Sequence, residues 1–383
     1  MSAEMSPLIL LFNPNHDDGG VERILVNLAN GLVALGHDVW MMTGQGRGKG
    51  AYLDQLAQPV HHVGIPASLV EMQLAQWVSE QIPHDRPLRL MAAKDSDEPV
   101  LVDIKRCFLA LYPEAPVSLY AMLGTPLLVR EQQEYPLSWR WRALVRRYAS
   151  ASHYAHFAGI MAICEGVRDD FIRFSGMDAS KVHLVHNPVI DDALRLEARQ
   201  PVQHPWLHPD AGIPVIMAIG RMSKVKDFSS LLAAFARLRT LRQARLVLVG
   251  DGRQKKRLAY QAQKLGVSDD VDMPGFMPNP YASLSKAQLL VVSSRREGGP
   301  NVLIEAMALG VPVVSTDCPY GPREILDQGR LGALVPVGHV RALADAMMQA
   351  LDSPPDSSML KQGALPYERD TAARTWAKAM DLA

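Results

Sequence analysis

Short apolar runs recur along this chain at spacings that leave room for a helix between them, and few architectures accommodate that pattern. In the first half the strand-like runs fall near Leu8 to Phe12, Val39 to Met42, Val60 to Val63, Leu88 to Ala92, Leu127 to Val129 and Gly159 to Ile163. After the first of them, Val21, Ile24, Leu25, Leu28, Leu32 and Leu35 mark one face of a helix. In the second half Val215 to Ile219 reads as a buried strand and runs into the helical pattern Phe228, Leu231, Leu232, Phe235 and Leu238. Such alternation predicts α/β architecture with parallel, doubly wound sheets. At 383 residues the chain exceeds the about 100–200 of an ordinary domain, so two domains are expected. The boundaries expected are residues 1–190 and 214–365, with 191–213 as a linker stiffened by Pro201, Pro205 and Pro209.

Charge and cysteine usage narrow the class. Forty basic and forty acidic residues balance, so nothing global points to nucleic acid. No apolar run is long enough to cross a bilayer, and Met1 to Pro7 lacks the basic and apolar regions of a signal peptide. Cys107, Cys164 and Cys318 are scattered and odd in number, which fits a reducing cytoplasm rather than a disulfide framework or a zinc site.

Two clusters carry the chemistry. The run from Glu297 through Gly298, Gly299, Pro300, Asn301, Val302, Leu303 and Ile304 to Glu305 follows the strand candidate Leu289 to Val292. Pro300 and Asn301 suit the opening of a helix. The unpaired N–H groups and positive pole of such an end attract phosphate. Glu305 then lies about one turn inside, where its carboxylate can accept from ribose hydroxyls, as an acidic residue does in dinucleotide folds. Glu297 stays on the loop, nearer a sugar beyond the phosphates. Two solvated helix-end acids are the alternative for a lone pair, and the surrounding glycines argue for a site. The second cluster, Gly220, Arg221 and Lys226, follows Val215 to Ile219, and ligands bind at that end of the strands in open parallel sheets. A guanidinium fork and a mobile ammonium together would hold a pyrophosphate and stabilise it as it leaves. A solvated basic loop is the competing account.

These stretches resemble the family-4 retaining glycosyltransferases of the GT-B fold. The resemblance extends to Leu246 through Gly252, to Pro274-Gly275-Phe276 and to Gly310 through Asp317. The run Asp317 to Leu326 is similar to a subgroup that builds bacterial surface polysaccharide, lipopolysaccharide and lipid-linked glycans. The resemblance implies two Rossmann-like domains facing a cleft, with a tail, residues 366–383, crossing back onto the first. It implies that Glu297 contacts the donor sugar, Glu305 the ribose, and Arg221 and Lys226 the diphosphate, with base choice set by backbone around Gly250 and Phe276. Gly19-Gly20-Val21-Glu22-Arg23 resembles the family's first glycine loop, and Gly20 is the position where a backbone approaches the donor phosphate closely; structural punctuation is the rival account.

Elsewhere the chain departs from that pattern. Family members often carry a cleft histidine where this chain has Arg130-Glu131-Gln132-Gln133-Glu134. Gln132 aligns with it, and Glu131 is a second polar candidate on the acceptor side, with an ordinary surface acid as the competing account. The stretch around Trp139, Trp141, Arg142, Arg146 and Arg147 mixes interfacial rings with cations, as in a helix lying on an anionic bilayer, although arginine stems also cover ordinary apolar surface. Asp95-Ser96-Asp97 reads as a solvated turn. The glycine-rich run Gly44 to Gly50 lacks Walker spacing, and the His16-Asp17-Asp18 and His61-His62 groups have poor metal-ligand spacing.

The expected activity is transfer of a hexose-type sugar from a nucleoside diphosphate sugar, uridine-linked, to a hydroxyl of a glycan or lipid-linked glycan. By resemblance the anomeric configuration is retained, no metal or other cofactor is needed, and the leaving phosphate takes the acceptor proton. Retention with no obvious pair of carboxylates to flank the bond argues against double displacement, whose two acids must sit about 5 Å apart. The enzyme is expected in the cytoplasm, peripherally on the inner face of the membrane. A UDP-sugar epimerase of the same fold, a phosphorylase and a non-catalytic nucleotide-binding partner subunit remain alternatives.

Overall fold

The structure, a computed structural model, describes residues 6–16, 20–45, 52–66, 71–92, 98–114, 116–124, 154–202, 204–208 and 212–382. The chain divides into two compact units, Met1–Val189 with Tyr367–Ala383, and Ile190–Pro366.

In the first unit the strands are β1 Leu8–His16, β2 Asp38–Gln45, β3 His61–Gly64, β4 Leu88–Ala92, β5 Val117–Leu123, β6 Gly159–Ala162 and β7 Val182–Leu184. They form one parallel sheet in the order β3-β2-β1-β4-β5-β6-β7. Helices α1 Gly20–Ala34, α2 Glu71–Gln81, α3 Glu98–Leu111 and α4 Glu165–Ser175 provide crossovers. The central strand is apolar without alternation, and Leu8 to Phe12 are all fully buried, as befits a strand covered on both faces. The strand expected near Leu127 lies outside the described residues. The strand observed at Val117–Leu123 is not evident in the sequence, because Ser118 and Tyr120 interrupt its apolar run. It is nonetheless paired along β4 and buried from Leu119 to Leu123.

The second unit opens with helix α5, Asp192–Ala198, capped by the Asp191 carboxylate on the Leu194 amide. Its strands are β8 Val215–Ile219, β9 Arg245–Val249, β10 Val271–Gly275, β11 Leu289–Val292, β12 Val313–Thr316 and β13 Ala333–Val335. They make a parallel sheet in the order β10-β9-β8-β11-β12-β13. Helices α6 Phe228–Arg239, α7 Lys255–Lys264, α8 Tyr281–Leu284, α9 Asn301–Leu309, α10 Pro322–Ile325, α11 Val340–Asp352 and α12 Ser357–Ala364 complete it. The segment expected as a linker is packed into this unit. Leu194 and Leu207 are buried, Asn279 donates to the Glu197 carbonyl at 2.9 Å, and His204 Nε2 lies 2.8 Å from Asp272 Oδ2. Burial of these apolar side chains outweighs the extended bias of the prolines.

The last helix, α13 Arg369–Ala379, belongs to the first unit. Trp376 is fully buried there and its indole N–H donates to the His186 carbonyl at 2.8 Å. A Cβ on Gly31 of α1 would stand 2.7 Å from the Ala373 Cβ, so glycine lets the two helices touch. In both sheets the strand order reverses beside the first strand, between β1 and β4 and between β8 and β11. Such reversals open a crevice at the carboxyl ends of the strands.

Candidate active site

The loops that leave β8 and β11 emerge side by side at the switch point of the second sheet, because β8 and β11 pair there. They carry the two sequence clusters. Lys226 Nζ donates to Glu297 Oε1 at 2.7 Å, with 26% and 12% of the two side chains exposed. Both charges are thus largely out of water and yet at the rim of the sheet. Ser294 Oγ donates to the same Oε1 at 2.5 Å, and Thr316 at the end of β12 donates to the Ser294 carbonyl at 2.6 Å. Ser293 Oγ donates to the Lys226 carbonyl at 2.8 Å, tying one loop to the other. Two further backbone bonds hold Glu297: its amide donates to the Pro319 carbonyl and its carbonyl accepts from the Tyr320 amide.

The lysine is steered from below. Its stem crosses Gly220, where an added Cβ would meet the Lys226 Cε at 3.3 Å. Gly250 in turn lies under Gly220: φ is +125°, and a Cβ there would fall 2.2 Å from the Gly220 carbonyl oxygen. Asp227, buried at the start of α6, receives Arg295 at 3.0 Å and the Ser230 hydroxyl at 2.9 Å. The Arg295 amide also donates to the Val225 carbonyl at 2.8 Å, a fourth link between the loops. Arg221 is exposed on the same loop as Lys226.

Helix α9 starts at Asn301 with Pro300 in the capping position, and the proline side chain makes no capping bond. Proline therefore sits one place earlier than the sequence suggests, and the helix N-terminus opens beside Glu297. Gly298 is buried against Gly321, where a Cβ would meet the Gly298 carbonyl oxygen at 2.5 Å; Gly299 is half-buried. Val302 is half-buried, whereas Leu303 is fully buried and its amide donates to the Pro300 carbonyl at 2.9 Å, so its side chain serves the core. Glu305, one turn in, accepts from the Tyr281 hydroxyl at 2.9 Å. Phe276 follows β10 and is 56% exposed.

Cys318 forms part of the floor near Glu297. Burial, then the Glu297 charge, pushes its thiol up to about 12. It is a neutral packing group in this position, not a nucleophile.

The structure thus brings Gly220, Lys226, Glu297, Gly298 and the α9 start together, with Gly250 beneath, and sets Glu305 with Tyr281. Gly20 lies in the first unit, exposed as the first residue of α1. Glu131, Gln132, Trp139, Trp141, Arg142, Arg146 and Arg147 fall outside the described residues. Ser294, Thr316, Asp227 and Tyr281 escape sequence reasoning. The only signal for the first is a Ser-Ser pair closing an apolar strand, and nothing local marks the others. Among the described residues no group of three or more His, Cys, Asp or Glu side chains is arranged to hold a metal ion.

Comparison with known proteins bears on the family and the fold. Residues 204–365 match the family model for glycosyl transferases group 1, and residues 19–188 match that for a glycosyl transferase 4-like domain. The chain is 26% identical over 328 residues to the N-acetylgalactosamine-N,N'-diacetylbacillosaminyl-diphospho-undecaprenol 4-alpha-N-acetylgalactosaminyltransferase of Campylobacter jejuni, covering 79% of this chain and 85% of that one. It is 34% identical over 148 residues to an uncharacterized glycosyltransferase of Methanocaldococcus jannaschii, spanning 38% of this chain and only 36% of that relative's length. Among solved structures, the Anabaena protein HepE in complex with UDP-glucose superposes with a TM-score of 0.76 at 19% identity, covering 98% of each chain. That likeness is one of fold: two parallel-sheet α/β domains of the GT-B kind.

Proposed function

The chain belongs to the group 1 glycosyltransferases, and on that footing we propose that it moves a hexose-type sugar from a uridine diphosphate sugar to a hydroxyl of a glycan or lipid-linked glycan, with retention at the anomeric carbon. The observation that carries this is the Lys226–Glu297 contact at the switch point beside the start of α9, whose capping position is a proline. Diphosphate entering there meets backbone amides and the positive end of α9, and competes with Glu297 for Lys226. The displaced carboxylate is then free to accept from a sugar hydroxyl. Arg221, exposed on the same loop, adds a bidentate donor.

In the proposed step the acceptor oxygen bonds to the anomeric carbon on the face from which the diphosphate departs. The acceptor proton passes to the leaving phosphate oxygen as the carbon–oxygen bond breaks. The chain's own residues position the reactants and stabilise the charge gathering on the diphosphate, Lys226 and Arg221 doing so directly. Glu297 orients the sugar and Glu305 the ribose. A lipid-linked acceptor is supported by the diphospho-undecaprenol substrate that the Campylobacter relative's name states, and it would bring the enzyme to the inner face of the membrane. No helix among the described residues is long and apolar enough to cross a membrane.

A thermal-shift screen of nucleotide sugars followed by NMR of the product linkage tests this directly. The expected result is stabilisation by a UDP-sugar and an acceptor-dependent product of retained configuration. Conversion of the donor sugar without acceptor would instead identify an epimerase. Glu297→Ala is expected to abolish transfer while nucleotide binding stays measurable; full activity in that variant would refute the assignment.

A further inference from the structure

The carboxylate of Glu305 accepts a hydrogen bond from an aromatic hydroxyl. Tyr281 is 4% exposed, and its O–H donates to Glu305 Oε1 at 2.9 Å. The tyrosine is itself fixed at the start of α8. Its amide donates to Asn279 Oδ1 at 3.0 Å, and Asn279 Nδ2 donates to the Glu197 carbonyl at 2.9 Å. Five residues before Tyr281, Phe276 stands 56% exposed where the chain leaves β10. One short stretch therefore begins at the ring beside the expected base position and ends on the carboxylate assigned to the ribose.

We propose that Tyr281 is a positioning residue for nucleoside recognition, fixing the Glu305 carboxylate so that it meets the ribose hydroxyls in register with the base loop. The inference rests on the reading of Glu305 as the ribose contact. A glutamate on a helix surface has three rotatable torsions, and ordering them at the moment of binding opposes affinity. A hydrogen bond to a buried phenol orders them beforehand, and bonds to a charged acceptor are the stronger kind. Tyr281 touches the carboxylate and not the reacting atoms, so its effect falls on donor affinity and on discrimination at the sugar ring of the nucleoside, with little on the chemical step.

The test uses the full-length protein and isothermal titration with UDP, ADP and GDP, each against its 2′-deoxy and 3′-deoxy forms. The wild type, Tyr281→Phe and Glu305→Ala are compared. For the base that binds, the wild type is expected to prefer the ribonucleotide, and Glu305→Ala to lose that preference. Tyr281→Phe is expected to weaken ribonucleotide binding by roughly 3–10-fold, with deoxynucleotide binding nearly unchanged, so that its preference shrinks too. In turnover assays its donor KM rises by a similar factor while kcat stays within about twofold. A merely structural tyrosine would lower the thermal midpoint and weaken both nucleotide forms alike. If Glu305→Ala loses the preference and Tyr281→Phe keeps it, the role given to Tyr281 is wrong and the ribose assignment stands. If Glu305→Ala keeps the preference, or no ribonucleotide binds, the ribose assignment falls and takes Tyr281 with it.

Discussion

A lysine and a glutamate 2.7 Å apart ordinarily mean a structural ion pair, and here the surroundings argue for more. Buried pairs contribute little net stability, because desolvation offsets attraction, yet removing one partner strands the other. Lys226→Ala should therefore show two separable effects. Donor affinity and turnover fall together, with kcat/KM down on the order of 10²-fold, while stability changes by a smaller margin because Glu297 keeps the Ser294 hydroxyl as a donor. Steady-state kinetics beside a denaturant curve would check it, and unchanged kinetics would remove Lys226 from the mechanism. Cys318 makes a second residue-level prediction. Its thiol titrates near 9.0 when free and at about 12 in the fold, chiefly through burial and then through Glu297. The neutral thiol's contribution is fully present below pH 9 and is lost as pH rises toward 12. Unfolding free energy should thus decline by up to about 1.4 kcal/mol per pH unit across that window. Cys318→Ala should flatten the decline, as read from urea denaturation at a series of pH values; an identical slope in the variant would contradict the assignment.

At the scale of elements, the site is a meeting of turns that only glycine permits. A methyl on Gly250 would strike the Gly220 carbonyl oxygen at 2.2 Å from a left-handed backbone, and neither partner is a flexible side chain. Gly250→Ala is expected to cost roughly 2–4 kcal/mol and to displace the Lys226 loop. Gly338→Ala, at φ +75° with open space around it, should cost only about 1–2 kcal/mol. Thermal denaturation of the two variants separates backbone strain from collision. The strands and turns that frame this region are legible in the sequence where local pattern decides them. Val215–Ile219 and Leu289–Val292 are uninterrupted apolar runs followed by glycine or serine, and the glutamates are spaced by a helix start. What stays hidden depends on partners distant in the chain. Val117–Leu123 becomes a strand because β4 lies beside it, the stretch expected as a linker, 191–213, joins a unit because Leu194 and Leu207 find a core, and Tyr281 matters because Glu305, 24 residues on, accepts its hydrogen bond. Local periodicity carries no record of such encounters.

For the whole molecule, the two sheets repeat one plan: parallel strands, an order that reverses beside the first strand, and helices as crossovers. The units differ in how they are closed. Residues 190–366 make the second from one continuous stretch, whereas the first needs Tyr367–Ala383 to cover α1 and fill the place of Trp376. A chain stopped after Pro366 should lose stability in the first unit alone. Calorimetry is expected to show one transition lowered and another in place, and Trp376→Ala, at roughly 3–5 kcal/mol, should reproduce much of the shift. Transitions unmoved by the truncation would show that α13 is dispensable. Translation adds a consequence of its own. Domains usually finish in the order in which they are made. Here the described strands of the first sheet are synthesised early, and the helix that bridges Gly31 and His186 arrives only after every residue of the second unit, so the half begun first is the half completed last.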